Sequence, residues 1–148
     1  MLDFDVIAHA PVTNTPFKFF MAPGVLSPVD LAAVRADFPK ITKPGLFPLS
    51  ELQYGATFSK LIEEIRSPLF ETTIERKYDV ELSGKPLMIM VRGQSQKKDG
   101  RIHVDKQSKF LTCLLYLNDI WDESGGRLRM LRSQHDIDDC LAEFPPDG

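Results

Sequence analysis

The order of local patterns predicts an α+β to mainly-β domain with helices packed outside a sheet. Three observations carry that prediction. Apolar residues recur at helical spacing before Gly84. After Gly84 they alternate or run together as strands do. The two textures are segregated, helices first and strands after, which suits a sheet with separate helical support.

The opening, through TPFKFFMAPGVLSP, reads as one or two short strands with loops. Ser27-Pro28-Val29-Asp30 then starts a helix. The serine caps free amides, proline at the first helical position loses no hydrogen bond, and the acid suits the helix dipole. Leu31, Val34 and Phe38 follow at helical spacing, and Pro39 stops the helix. KPGLFPLSELQYG, with two prolines and two glycines, reads as a loop. A second helix is expected from Ala56 to Arg66, where Phe58, Leu61, Ile62 and Ile65 form one apolar stripe. Ser67-Pro68 starts a third, with Phe70 and Ile74 facing inward.

Beyond Gly84, KPLMIMVRGQ is a strand candidate, RIHVD a short one and KFLTCLLYLND a strong one, bounded by charges and by Asn118-Asp119. GGRLRML begins with a glycine turn and then alternates. Leu128 and Met130 take one face, Arg127 and Arg129 the other.

Composition narrows the function classes. The chain has 148 residues, 43% hydrophobic and 26% charged, the profile of one soluble globular domain with a core that needs no disulfide support. A net charge of -3 leaves no global basic field for nucleic acid or an anionic membrane. The basic cluster Gln96–Arg101 reads as a solvated turn. Two cysteines, Cys113 and Cys140, make no disulfide framework. Cys113, inside the apolar run, reads as a small buried hydrophobe. The N-terminus MLDFDVIAHAP has acids where a signal peptide needs bases, and no stretch is long enough to span a bilayer. A reducing, cytoplasmic setting is therefore expected.

The chemistry-bearing feature is His103-Val104-Asp105. On a strand, positions two apart share a face, so an imidazole and a carboxylate can converge on one point and form part of a divalent-metal site. A surface hydrogen bond between the two is the competing reading. Alternation through the next run places Phe110, Thr112, Leu114 and Tyr116 on one face. That face offers apolar walls with two hydroxyls, as in a pocket for a small, partly polar molecule. Buried hydroxyls satisfied by backbone are the competing reading there.

Taken together, HVD, TCLLYLND-W and GGRLRML, in that order, resemble the iron(II)- and 2-oxoglutarate-dependent dioxygenases, most of all their prolyl-hydroxylase-like branch. The likeness covers about Lys85 to Leu131. It implies a double-stranded β-helix, a jelly roll incomplete at its C-terminus, within a single domain over 1–148. Helical support would span about residues 27 to 80 and barrel strands about 85 to 148. It implies that His103 and Asp105 are catalytic and metal-binding, the first two members of a two-histidine, one-carboxylate triad. It places Tyr116 on 2-oxoglutarate, with Thr112 and Leu114 lining that pocket and Gly125-Gly126 turning into the next strand.

The implied reaction consumes 2-oxoglutarate and dioxygen, with iron(II) and ascorbate as cofactors. It releases succinate and carbon dioxide and hydroxylates a C–H bond of a prolyl-peptide or other small-molecule or protein substrate. Arg92, Gln94, Arg127 and Arg129 are candidates for the cavity and its mouth. No position matches the family's distal histidine or its 2-oxoglutarate-binding arginine or lysine. The expectation is a truncated sequence that holds iron weakly and does not turn over, with open strand edges prone to self-association. His135, in RSQHDIDD, reads as a solvated loop histidine, and His9 as structural or exposed. The alternative is a non-enzymatic jelly-roll, cupin-like module that binds a metal or ligand.

Overall fold

The computed structural model describes residues 1–106, 108–118, 121 and 125–146, with 97 and 98 described by backbone alone. Among the described residues are four α-helices and three two-stranded antiparallel sheets. The chain divides into two units, Met1–Gln94 and Ser95–Gly148.

Side-chain caps begin three of the four helices in the first unit. Helix α1, Phe4–His9, starts where the Asp3 carboxylate accepts the Val6 amide at 2.9 Å. The opening was expected to hold short strands and loops. The cap and the acid Asp5 in the first turn favour a helix instead, and α1 buries Ile7. A two-residue hairpin follows, with β1 (Val12–Thr13) paired to β2 (Phe19–Phe20), in keeping with the short strands expected there. Helix α2, Pro28–Ala36, opens on the Ser27 cap as anticipated: the Asp30 amide donates to the Ser27 hydroxyl at 3.1 Å. Helix α4, Pro68–Tyr78, opens the same way on Ser67, whose hydroxyl accepts the Phe70 amide at 3.2 Å.

Helix α3, Ala56–Ile65, is capped from a distance. Its first residue is preceded by Gly55, which has no side chain to offer. The carboxylate of Asp37, just past α2, accepts the Thr57 amide at 2.7 Å instead, and the Gly55 amide donates to the Asp37 carbonyl at 2.9 Å. Hydrogen bonds from Thr57, its amide first and its hydroxyl second, hold the Asp37 carboxyl below its usual range. A side chain at Gly55 would collide with Asp37, so glycine is what lets the cap approach.

The core of this unit lies where α3 meets α2 and α4. Val34 is 0% and Leu61 1% exposed, with Phe58, Ile62 and Ile74 also buried. Phe38 closes the α2 side edge-on against Phe58, 5.4 Å between ring centres. Lys77 ties the end of α4 to the end of α1 by donating to the Ala8 and Ala10 carbonyls, while its ammonium lies 4.7 Å over the Phe20 ring. The stretch expected as a loop contains β3, Leu46–Pro48, which pairs with β4, Met90–Arg92. Strand β4 is the part of KPLMIMVRGQ that becomes regular.

The second unit opens with a one-turn helix, Lys97–Gly100, whose capping box joins Gln96 and Asp99. The turn expected at the basic cluster is thus present. Strand β5, Leu128–Leu131, pairs with β6, Cys140–Phe144, a strand the sequence did not announce. Along β5, Leu128 and Met130 are half-buried and Arg129 is exposed, the alternation read from GGRLRML. Gly126 enters the strand with φ 77°, and a side chain there would press on the Trp121 ring. Arg127 and Arg129, offered as residues of a cavity mouth, both pair with Glu143 across the hairpin, and Arg129 also reaches Asp138 at 3.4 Å.

The jelly roll is overturned. That fold needs two multi-stranded sheets packed face to face. Among the described residues each strand is two to five residues long, and the strands pair only two by two. RIHVD lies in no strand, and in the described part of KFLTCLLYLND Asn118 alone makes a β-bridge; Asp119, its expected boundary, lies outside the described residues. Cys113, expected to be buried, is exposed as a residue, while the surroundings of its thiol desolvate it and push its pKa up. An apolar run records the capacity to form a strand, but a ladder also needs a neighbour for its amides and carbonyls. Among the described residues, no helix is long and apolar enough to cross a membrane.

Two substitutions test this core. Leu61→Ala is expected to cost about 2–5 kcal/mol in urea unfolding. Leu69→Ala, at a position 55% exposed, is expected to stay within about 0.5 kcal/mol. Equal effects would contradict the packing described.

Candidate functional site

Of the polar residues singled out in the second unit, Thr112 lies directly against Asp105. The backbone turns after it, where the Lys109 amide donates to the Lys106 carbonyl at 2.9 Å. That turn brings the Lys109 ammonium back to the carboxylate, 2.9 Å from one oxygen. The Thr112 hydroxyl donates to the other oxygen at 2.8 Å. Both bonds favour the ionised form. Lys109 does most to hold the Asp105 carboxyl below the usual carboxylate range, Thr112 adds to it, and the neighbouring His103 contributes a smaller attraction.

His103 is oriented by the backbone. Its Nδ1 lies 2.9 Å from the Arg101 carbonyl. A carbonyl can only accept, so Nδ1 carries the proton, and in the neutral ring Nε2 keeps its lone pair. A ring nitrogen held by a carbonyl while the other stays free is the arrangement found around metal-binding histidines. Asp105 supplies anionic oxygens of the kind that accompany such a histidine. The donor set therefore fits two positions of a divalent-metal centre.

The segment beyond Asp105 presents its side chains unevenly. Leu111, Leu115 and Leu117 are half-buried, whereas Phe110 is 58% and Leu114 55% exposed. Thr112, Cys113 and Leu114 are exposed in succession, so exposure here does not follow the single alternate face expected of a strand. Tyr116, on the same alternation, is half-buried and engaged with neighbours. Of the five residues named from sequence, the structure joins Thr112 to Asp105 by a hydrogen bond, while His103 is bonded to the Arg101 carbonyl. It leaves Leu114 exposed.

Lys109 was not singled out from sequence. Its signal was an opposite charge four residues from Asp105, a spacing at which a turn brings side chains together. His135 lies exposed in the turn between β5 and β6, where its amide donates to the Ser133 hydroxyl. Among the described residues, no three His, Cys, Asp or Glu side chains are grouped to hold a metal.

An acidic depression in the first unit, lined by Asp3, Asp5 and Asp30 with Met1, Phe4 and Ser27, is structural. Asp3 caps α1, and Asp30 is engaged by the Ser27 hydroxyl at 2.8 Å and the chain's amino group at 3.6 Å.

No family model, curated protein or solved structure matches the chain.

Asp105 ionises more readily folded than unfolded, so whatever stability it adds is complete above its unfolded value of about 3.9 and fades as pH falls through its lower folded value. Carboxyl NMR titration is expected to show the Asp105 midpoint rising in Thr112→Val and rising further in Lys109→Met. An unmoved midpoint in both would contradict the contacts.

Proposed function

We propose that this chain serves an iron(II)- and 2-oxoglutarate-dependent oxygenase reaction. His103 and Asp105 are metal ligands, and Tyr116 and Thr112 are the polar groups of the co-substrate pocket. The reaction hydroxylates a C–H bond of a prolyl-peptide or small-molecule substrate. The observation that carries this reading is the ordered run of HVD, TCLLYLN and GGRLRML. The chemistry of the two groups supports it: an imidazole oriented by the Arg101 carbonyl at Nδ1 and a carboxylate whose hydrogen bonds favour the ionised form. A reducing cytoplasmic setting suits such a site, and both cysteines are free thiols.

Iron(II), when bound with 2-oxoglutarate and dioxygen, supplies the oxidising chemistry, with succinate and carbon dioxide as co-products. The chain's own part is to hold and orient. The Arg101 carbonyl fixes the His103 ring. Thr112 fixes the Asp105 carboxylate, whose charge offsets part of the metal's. The phenol of Tyr116 offers a hydrogen-bond donor for a carboxylate of the co-substrate.

A second reading rests on the engagement of both Asp105 oxygens by Lys109 and Thr112. In it the module is non-enzymatic and the carboxylate staples the segment after His103.

Calorimetric titration with Mn(II), an oxygen-stable stand-in for iron(II), separates the two. The dioxygenase reading expects weak binding to the wild-type chain, since two ligands hold less tightly than three, and its loss in His103→Ala and in Asp105→Ala. It expects no succinate release from the two-ligand site. Binding that survives both substitutions, or loss of stability in Asp105→Ala with no change in metal affinity, would favour the staple.

A further inference from the structure

Two donors hold Asp105, and they are chemically unequal. Lys109 is a full positive charge on one oxygen, and Thr112 is a neutral hydroxyl on the other. We propose that Lys109 is the resident counter-ion of the His103–Asp105 site, occupying the carboxylate in the absence of a divalent cation and yielding to one that binds. The inference rests on the metal reading above and adds to it what guards the site.

Charge and exposure make the exchange workable. A divalent cation on this carboxylate would stand within a few ångströms of the ammonium, and like charges at that range repel strongly even in a watery medium. The Lys109 side chain is 52% exposed and the Asp105 side chain 43%. An ion pair so open contributes little and re-forms easily, so the ammonium can move to water at small cost. Thr112 carries no charge to repel the incoming ion. A carboxylate oxygen has two lone pairs, so Thr112 can stay bonded and keep the group aimed. Lys109 therefore competes with the metal, whereas Thr112 is a positioning residue that assists it. The groups facing the carboxylate are Lys109, Thr112 and His103, and of these Lys109 alone is a permanent cation.

Mn(II) titration of the full chain at low ionic strength tests this, with the Lys109 side-chain ammonium followed by NMR during a parallel Zn(II) titration. Lys109→Met is expected to bind Mn(II) about twofold to fivefold more tightly than wild type, the gap narrowing with added salt. Lys109→Arg, which keeps the charge, is expected to match wild type, and Thr112→Val to bind more weakly. In wild type the Lys109 signal is expected to move toward that of a free lysine as Zn(II) fills the site. Lys109→Met binding with unchanged or lower affinity, while His103→Ala abolishes binding, would overturn the counter-ion role and leave the metal reading standing. Binding by His103→Ala as tight as wild type, or by neither chain, would overturn both.

Discussion

An extended backbone becomes a sheet only when a neighbouring strand takes up its amides and carbonyls, and that constraint governs the second unit. The β5–β6 hairpin meets it, because a turn returns Cys140–Phe144 alongside Leu128–Leu131 and the Arg129–Glu143 pair locks the register. The run Phe110–Leu117 has the stronger apolar character yet joins no ladder. Its order comes instead from side chains, with Leu111, Leu115 and Leu117 turned toward cover and Thr112 tethered to Asp105.

That tether gives Asp105 a role out of proportion to its exposure. It closes the turn that follows His103, through Lys109, and anchors the start of the apolar run, through Thr112. In the proposed reading, the same charge that organises these contacts is what the metal is drawn to. Local structure and candidate chemistry therefore share one carboxylate. In the first unit the work is divided differently: Asp37 caps α3, Lys77 joins α1 to α4, and the apolar interior around Val34 and Leu61 does the rest.

The helices were legible where the cap was local. Ser27-Pro28 and Ser67-Pro68 mark α2 and α4, and the stripe Phe58, Leu61, Ile62 marks α3. Helix α1 was not read, because its six residues carry too little periodicity and its cap, Asp3, looks like any other surface acid. The cap of α3 was not legible at all, since Asp37 lies far from Thr57 in sequence. The barrel failed for a related reason: apolar alternation reports which face a strand would bury, not whether a partner exists. At the site, spacing put His103 and Asp105 on one face of a strand, but RIHVD forms no strand, and the two side chains are held separately, His103 by the Arg101 carbonyl and Asp105 by Lys109 and Thr112. Lys109 was passed over because a surface lysine is ordinarily solvated, and only the turn at Lys106–Lys109 shows otherwise.

The central claim is that a divalent cation is drawn to the His103–Asp105 pair rather than to the chain's other acids. Paramagnetic broadening of amide NMR signals by substoichiometric Mn(II) reads this directly. The account predicts broadening centred on residues 101–106 and reaching Thr112. Broadening centred on Asp3, Asp5 and Asp30, or spread evenly over the surface carboxylates, would contradict it.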